Sequence, residues 1–174
     1  MYLKILDRIT TFAMTLAEIG VFMMTIHVTA DVLSRWVFGD PLIATTEIVR
    51  FYYMVGIIYL PLAWVTRMDG HISAQIFTQY MKPKNRQRLE GAIHVLLFVF
   101  MLFLTYQTGH EAIRMTVVNE VHEAADAFFW IWPARWYLPL GSGLMAIYAL
   151  TMGIQKLFGP VVETAPPEQH VAVD

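Results

Sequence analysis

The sequence predicts an all-α membrane protein with four transmembrane helices. Of its 174 residues, 57% are hydrophobic and 15% are charged, whereas a typical soluble domain is about half apolar and about a quarter charged. The mean hydropathy is +0.51. Four apolar segments reach or approach the roughly 20 residues that a helix needs to cross a bilayer. Because lipid offers the backbone no hydrogen-bond partners, each span is expected to be a helix, and a barrel would need short alternating strands instead.

Charge balance and cysteine content exclude several function classes. The net charge of −2 argues against a protein that binds nucleic acid by releasing counterions. The absence of cysteine excludes disulfides, thiolate nucleophiles and cysteine-ligated metal centres. The sequence has no nucleophile elbow, no phosphate-binding glycine loop and no HExxH pair. We therefore expect neither an enzyme nor a nucleic-acid partner.

A single transmembrane domain is predicted over residues 1–160, followed by a poorly ordered cytoplasmic tail over residues 161–174. The four spans are predicted at about residues 9–38, 48–66, 89–110 and 130–157. The first run is too long for a signal-peptide hydrophobic region and contains Glu18, so we expect a retained anchor. The second reaches full length if Arg50 extends its side chain outward.

Two groups of small residues predict close helix packing. Ala13, Ala17 and Gly20 recur at helical spacing in the first run, where the alternative is a row of side chains that simply face lipid. Residues 141–143 form a Gly-Ser-Gly patch that another backbone can approach. Just before it, Pro139 is expected to mark the first turn of the fourth helix or to kink that helix.

Basic residues are concentrated between the second and third spans. They are Arg67, Lys82, Lys84, Arg86 and Arg88. Because basic loops stay in the cytoplasm, this loop and both termini are predicted to be cytoplasmic, while the first and third loops face outward. Within it, residues 72–80 have an apolar face at helical spacing and predict a short amphipathic helix at the interface. The basic residues from Lys82 to Arg88 suit anionic lipid headgroups.

Glu18 is an ionisable residue inside the membrane, and such residues are costly there and mark functional positions by default. One interpretation is coupling to protons or sodium ions. The other is a structural hydrogen bond to another helix or to a partner subunit. The second is favoured, because the apolar runs of the four spans, residues 9–30, 51–66, 91–110 and 136–155, contain no further acid with which to build a relay.

Four charged residues cluster where the first two spans reach the outer interface. Asp31 precedes Arg35 by four residues, the favourable order for a helical ion pair. Glu47 and Arg50 are three residues apart, and Arg35 can equally reach Glu47 across the turn. The cluster fits both local structure and contact with a soluble partner, and the two roles can coexist.

Three histidines raise a second hypothesis, that of a four-helix membrane haem or electron-transfer anchor. His27 lies in the first span, and His94 and His110 lie in the third. In membrane cytochromes, pairs of histidines on the spans serve as axial ligands of the haem. Their predicted depths differ, with His94 near the inner side, so packing roles are favoured. A self-sufficient small transporter is a third, weaker option, because many such transporters contain internal repeats and this sequence has none.

Residues 31–73 resemble the small membrane subunit, the Q component, of tripartite ATP-independent periplasmic (TRAP) transporters. The matching positions are Asp31, Val32, Arg35, Phe38, Pro41, Glu47, Arg67, His71 and Ile72. The four-helix length of the chain agrees with the same family. The resemblance implies that these are structural or partner-interface positions, and that the protein lies in a bacterial inner membrane without a cofactor or chemistry of its own.

The resemblance also implies two protein partners. In such transporters a soluble periplasmic binding protein captures an organic acid, for example a C4-dicarboxylate. The large membrane (M) subunit holds the substrate and sodium sites and moves like an elevator. The small subunit packs on the static part of the large one and helps dock the binding protein.

Overall fold

The computed structural model describes residues 2–68, 81–124 and 127–159. The predicted amphipathic helix at residues 72–80, the family position His71 and the tail at residues 161–174 lie outside these ranges, so they stay predictions.

Helices dominate the described residues. The α-helices are α1 (Tyr2–Phe38), α2 (Thr45–Ile48), α3 (Met54–Tyr59), α4 (Leu62–Arg67), α5 (Pro83–Val117) and α6 (Tyr137–Phe158). Four segments are long and apolar enough to cross a membrane, and we call them the first to fourth spans: Lys4–Phe38, Thr45–Arg67, Lys84–Val117 and Ala134–Phe158. The predicted fold class, an all-α membrane protein with four spans, is confirmed.

The first span is one uninterrupted helix. Its 37 residues extend over about 55 Å at 1.5 Å per residue, which exceeds the roughly 30 Å of a hydrocarbon core. One side of α1 packs on the second span: Ala13 and Ala17 are 5% and 4% exposed, and a Cβ on Gly20 would lie 3.5 Å from Ile57. The small-residue row therefore packs within this chain, and the lipid-facing alternative is wrong.

The second span is broken twice, where the sequence predicts one continuous helix. A π-helical turn, Val49–Tyr53, separates α2 from α3. Pro61 then interrupts the run between α3 and α4, because proline has no backbone N–H to donate. The Val65 amide resumes the hydrogen-bond ladder by donating to the Pro61 carbonyl at 3.0 Å. These breaks let the span bend past its neighbours.

The third and fourth spans form the most closely packed pair, and they run antiparallel. A Cβ on Gly91 would lie 2.8 Å from Leu157 Cγ, and one on Gly153 would lie 3.1 Å from Val95. Near the middle of the pair the Thr105 and Ser142 hydroxyls are 2.9 Å apart. Because glycine has no side chain, these positions let the two helix backbones approach each other closely.

The Gly-Ser-Gly patch also packs against the second span, as its small residues predict. A Cβ on Gly141 would overlap the backbone carbonyl of Tyr59 and would lie 3.2 Å from Tyr59 Cβ. Pro139 is the third residue of α6, within its first turn. The fourth span thus contacts both the second and the third, and it holds more of the buried residues in the described ranges than any other span does.

A β-hairpin connects the third and fourth spans. Strand β1 (Val121–Ala124) pairs antiparallel with β2 (Ala127–Trp130), and Val121 faces Trp130. A 3₁₀ turn, Ala134–Trp136, then leads into α6. By composition the aromatic residues of this segment fit an interfacial belt or a docking surface, and the sequence predicts no strands here.

Candidate partner-binding site at the Asp31 end

The Asp31 carboxylate joins the end of α1 to the start of the second span. Its Oδ2 accepts a hydrogen bond from Arg35 Nε at 2.9 Å, and Arg35 Nη2 lies 2.9 Å from the same oxygen. Its Oδ1 accepts from the Leu42 amide at 2.8 Å and from the Thr45 hydroxyl at 3.1 Å. Asp31 itself is 5% exposed. We call this arrangement the Asp31 clamp, and of the two pairings open to Arg35 it is the one with Asp31 that the structure contains.

The loop closed by the Asp31 clamp turns through two residues with positive φ. Gly39 has φ 80° and Ala44 has φ 58°. Alanine rarely adopts the left-handed region, so the contacts on either side of it hold this conformation. The Ser34 hydroxyl adds a hydrogen bond to the Asp40 carbonyl at 3.0 Å. The loop is therefore braced by side chains from the helix that precedes it.

Exposed aromatic side chains surround the clamp. Trp36 is 84% exposed and Phe38 is 78% exposed, and Pro41 is also exposed. Glu47 is half-buried in α2, and the Arg50 guanidinium lies 5.2 Å from the centre of the Phe51 ring. Five of the family positions predicted from sequence thus meet in one region: Asp31, Arg35, Phe38, Pro41 and Glu47.

The hairpin lies at the same end and is tied to the second span. The Tyr52 hydroxyl donates to the Trp130 carbonyl, and the Phe51 and His122 rings meet edge to face with centroids 5.2 Å apart. Phe128 and Trp130 remain 73% and 66% exposed. The Asp31 end therefore presents an aromatic surface built from the end of α1 and from the hairpin.

A bidentate ion pair fixes the base of the hairpin. Arg135 donates to both carboxylate oxygens of Glu120, with Nη2 2.6 Å from Oε1. The hydrogen bonds from Arg135 hold the pKa of Glu120 below its ordinary value, although partial burial opposes this shift. Next to it, Trp136 Nε1 donates to the Thr116 hydroxyl at 3.1 Å. The hairpin is thus a braced element.

Arg67, a further family position, lies at the opposite end of the spans. Its Nε is 3.5 Å from Asp7 Oδ1, its Nη1 donates to the Thr11 hydroxyl at 3.2 Å, and its guanidinium lies 4.9 Å from the Trp64 ring centre. The Tyr148 hydroxyl, in a residue 2% exposed, donates to the same Asp7 carboxylate. This Asp7 network joins the first, second and fourth spans.

Sequence reasoning singled out neither Asp7 nor Tyr148. The two residues are 141 positions apart, so no local spacing connects them. The signal in the sequence was the hydroxyl group of Tyr148 within the largely apolar fourth span, since a buried tyrosine hydroxyl needs a hydrogen-bond partner.

Comparison with protein-family models decides the family. Residues 24–159 match the model described as tripartite ATP-independent periplasmic transporters, DctQ component. The chain belongs to this family. Searches of curated proteins and of solved structures found no match. The match includes the Asp31 clamp, the hairpin and Arg67, and it identifies a small membrane subunit of a TRAP transporter, a system in which the DctQ component works with the large M subunit and a binding protein.

Glu18, the intramembrane candidate, is exposed on the side of α1 that faces away from the other spans. Its carboxyl group forms no hydrogen bond or ion pair with any residue of the ranges 2–68, 81–124 and 127–159. Within these ranges the structure therefore gives Glu18 no structural partner.

The basic residues before the third span have different surroundings. Lys82, Lys84 and Arg88 are exposed. Arg86 instead pairs with Glu90 at 3.0 Å, and the other oxygen of Glu90 lies 3.1 Å from Lys156 Nζ. Glu90 therefore ties α5 to the end of α6 through Lys156, and Arg86 pairs with the same carboxylate within α5.

The histidines considered as haem ligands have separate neighbours. His94 is buried, and its Nδ1 donates to the Glu90 carbonyl at 2.7 Å. The His27 ring packs edge to face on Tyr53 with centroids 5.9 Å apart, and His110 is exposed. Among the described residues, no group of three or more His, Asp or Glu side chains is placed to hold a metal ion. This geometry fits packing roles.

Proposed function

We propose that this chain is the static scaffold of a TRAP transporter that imports an organic acid, a C4-dicarboxylate or a similar carboxylate, together with sodium. The M subunit holds the substrate and ion sites, and this chain packs on its static part. The observation that carries the proposal is where the ion pairs lie. In the described ranges they are found in the terminal regions of the spans, and two of them, Arg67–Asp7 and Lys156–Glu90, join one helix to another.

The scarcity of ionisable side chains in the middle of the spans supports a scaffold role. A transporter that moves a carboxylate and a cation needs polar groups near the centre of the membrane. Here Asp31 is the acid that is buried within the described part of the chain, and its carboxylate is occupied by the clamp. Glu18 is exposed on the outside of the bundle. The chemistry of transport therefore belongs to a partner.

The second part of the proposal concerns the binding protein, which docks on the aromatic surface at the Asp31 end. The end of α1, held by the loop at residues 39–44, and the paired strands β1 and β2 form that surface. Because their backbones are already held, little ordering entropy is lost on binding. Aromatic side chains exposed to this degree are typical of interface centres.

The proposed orientation puts the Asp31 end outside the inner membrane and both termini in the cytoplasm. The charge distribution supports it, since Lys82, Lys84 and Arg88 are exposed at the other end and suit anionic headgroups on the cytoplasmic face.

Deletion and co-purification test the scaffold role. We expect this chain to co-purify with a larger polytopic membrane subunit, and uptake of the organic acid to be lost when this chain is deleted. Undiminished uptake in the deletion strain would overturn the proposal, as would accumulation of the anion in vesicles that contain this chain alone. Restoring the chain from a plasmid controls for effects on the neighbouring subunits.

A further inference from the structure

The first helix has two rows of residues at heptad spacing on opposite sides. The row that faces the other spans is buried or half-buried and includes Ala13, Ala17, Gly20, Met24, His27 and Asp31. The opposite row, which we call the outer row, is exposed throughout and includes Thr11, Thr15, Glu18, Phe22, Thr25 and Thr29. Steps that alternate between three and four residues keep a row on one side of a helix. The outer row therefore repeats, on the free side of α1, the pattern that its packed side uses.

The hydroxyl groups of the outer row are already satisfied. Thr11, Thr15, Thr25 and Thr29 each donate to the carbonyl four residues earlier, at 2.7 to 3.1 Å. Their oxygens can still accept a hydrogen bond, and their side chains are short. Short hydroxyl residues are enriched where membrane helices approach each other. The outer row is therefore suited to contact with a second helix.

Glu18 occupies the centre of this row. It lies about 17 Å along the helix from Asp7 and about 20 Å from Asp31, and both of those acids have partners within the chain. Its own carboxyl group has none among the described residues. A carboxyl group at this depth in lipid is unfavourable, so it requires a donor from outside the chain.

We propose that the outer row binds a membrane-spanning helix of the M subunit, and that this helix presents a hydrogen-bond donor or a cation to Glu18. The assignment of that subunit rests on the proposed function. From Thr11 to Thr29 the row covers about 27 Å, close to the roughly 30 Å thickness of the hydrocarbon core. Its length therefore fits a helix that crosses the membrane. The heptad spacing favours a left-handed crossing near +20°.

A second copy of this chain and a lipid both fit the row less well. Two copies related by a parallel two-fold axis would place Glu18 against Glu18, and like charges repel. Lipid acyl chains supply no donor at this depth. A different protein helix with a donor is complementary on both counts.

Photo-crosslinking in the intact complex tests which molecule covers the row. We place p-benzoylphenylalanine at Phe22, which is 62% exposed, and at the matched control Met23, which is 43% exposed. The two positions are equally deep and about 100° apart around the helix. We expect the Phe22 probe, and not the Met23 probe, to form an adduct with the M subunit. An adduct with a second copy, with lipid only, or to the same extent from both positions overturns the inference.

Substitution of Glu18 tests the donor. Glu18→Gln keeps a hydrogen-bonding group and is expected to preserve co-purification, whereas Glu18→Leu removes it and should lower the yield about 5- to 30-fold. Met23→Leu is the control. Since Glu18 is exposed, the thermal midpoint of the isolated Glu18→Leu chain should not fall. Equal yields for all variants contradict the inference. Absence of the M subunit from the wild-type preparation contradicts the proposed function instead.

Discussion

Replacing Gly141 by alanine should destabilise the chain, because an added methyl group meets a backbone atom that cannot rotate away. The new Cβ would overlap the Tyr59 carbonyl oxygen. Overpacking costs about 1–3 kcal/mol, and a rigid obstacle places this site at the upper end, about 3 kcal/mol. Alanine recovers about 1 kcal/mol of helix propensity relative to glycine. The net loss in the free energy of unfolding is therefore about 2 kcal/mol.

The neighbouring glycine is a matched control. A Cβ on Gly143 would lie 3.4 Å from Thr105 Cγ2, where the methyl group of that side chain can give way. Gly143→Ala should therefore gain about 1 kcal/mol of helix propensity with little opposing strain. Both positions lie in the same helix and differ by two residues, so detergent and helix insertion affect them alike.

Thermal unfolding in detergent, followed by the fluorescence of the five tryptophans, measures the difference. For a chain of this size about 2–4 °C accompanies each kcal/mol. Gly141→Ala should therefore lower the midpoint by about 4–8 °C, and Gly143→Ala should leave it unchanged or raise it by about 2–4 °C. A Gly141→Ala midpoint at or above that of the wild type would refute the close contact between α6 and the second span. So would an equal fall in both variants.

Three further predictions concern charged residues. The folded state holds the pKa of Glu120 below its unfolded value, so this pair stabilises the chain above that unfolded value and the contribution is lost as pH falls through the folded pKa. Glu120→Gln should therefore flatten the acid side of the midpoint-against-pH curve, and an unchanged curve would contradict this. Asp31→Ala should speed hydrogen–deuterium exchange of the Leu42 amide, which loses its acceptor, and unaltered exchange would show that the clamp is dispensable. Arg35→Ala should lower the co-purification yield, relative to wild type, by a larger factor than Glu18→Gln changes the sodium dependence of uptake. The reverse order would favour ion coupling at Glu18.

The spans and the family were predictable because both depend on local sequence. A run of apolar residues predicts a helix wherever lipid is the solvent, and the family positions lie within one continuous stretch, residues 31–73. The ion pair between Asp31 and Arg35 is one of the two pairings that the sequence allowed for Arg35, and the structure decides between them. Its extension to the Leu42 amide and Thr45 does not follow from spacing, since it depends on how the following loop turns.

The features that escaped prediction depend on contacts between distant segments. The Asp7 network joins residues from three spans. The hairpin has only four residues in each strand, and its aromatic side chains match an interfacial belt equally well by composition. The π-helical turn Val49–Tyr53 has no local signature, because nothing in its residue pattern distinguishes it from the α-helix on either side.

Two polar ties, at Asp7 and Asp31, join the first helix to its neighbours at the two ends of its apolar segment. Asp7 and Asp31 are separated by about 36 Å along the axis, slightly more than the thickness of the hydrocarbon core, and each is bound to groups on the second span or its leading loop. Sliding the helix along its own axis by one turn would break both ties together. These two charged groups therefore fix the position of the first helix along its axis relative to its neighbour. The small apolar side chains that pack between the two ties do not fix that position by themselves.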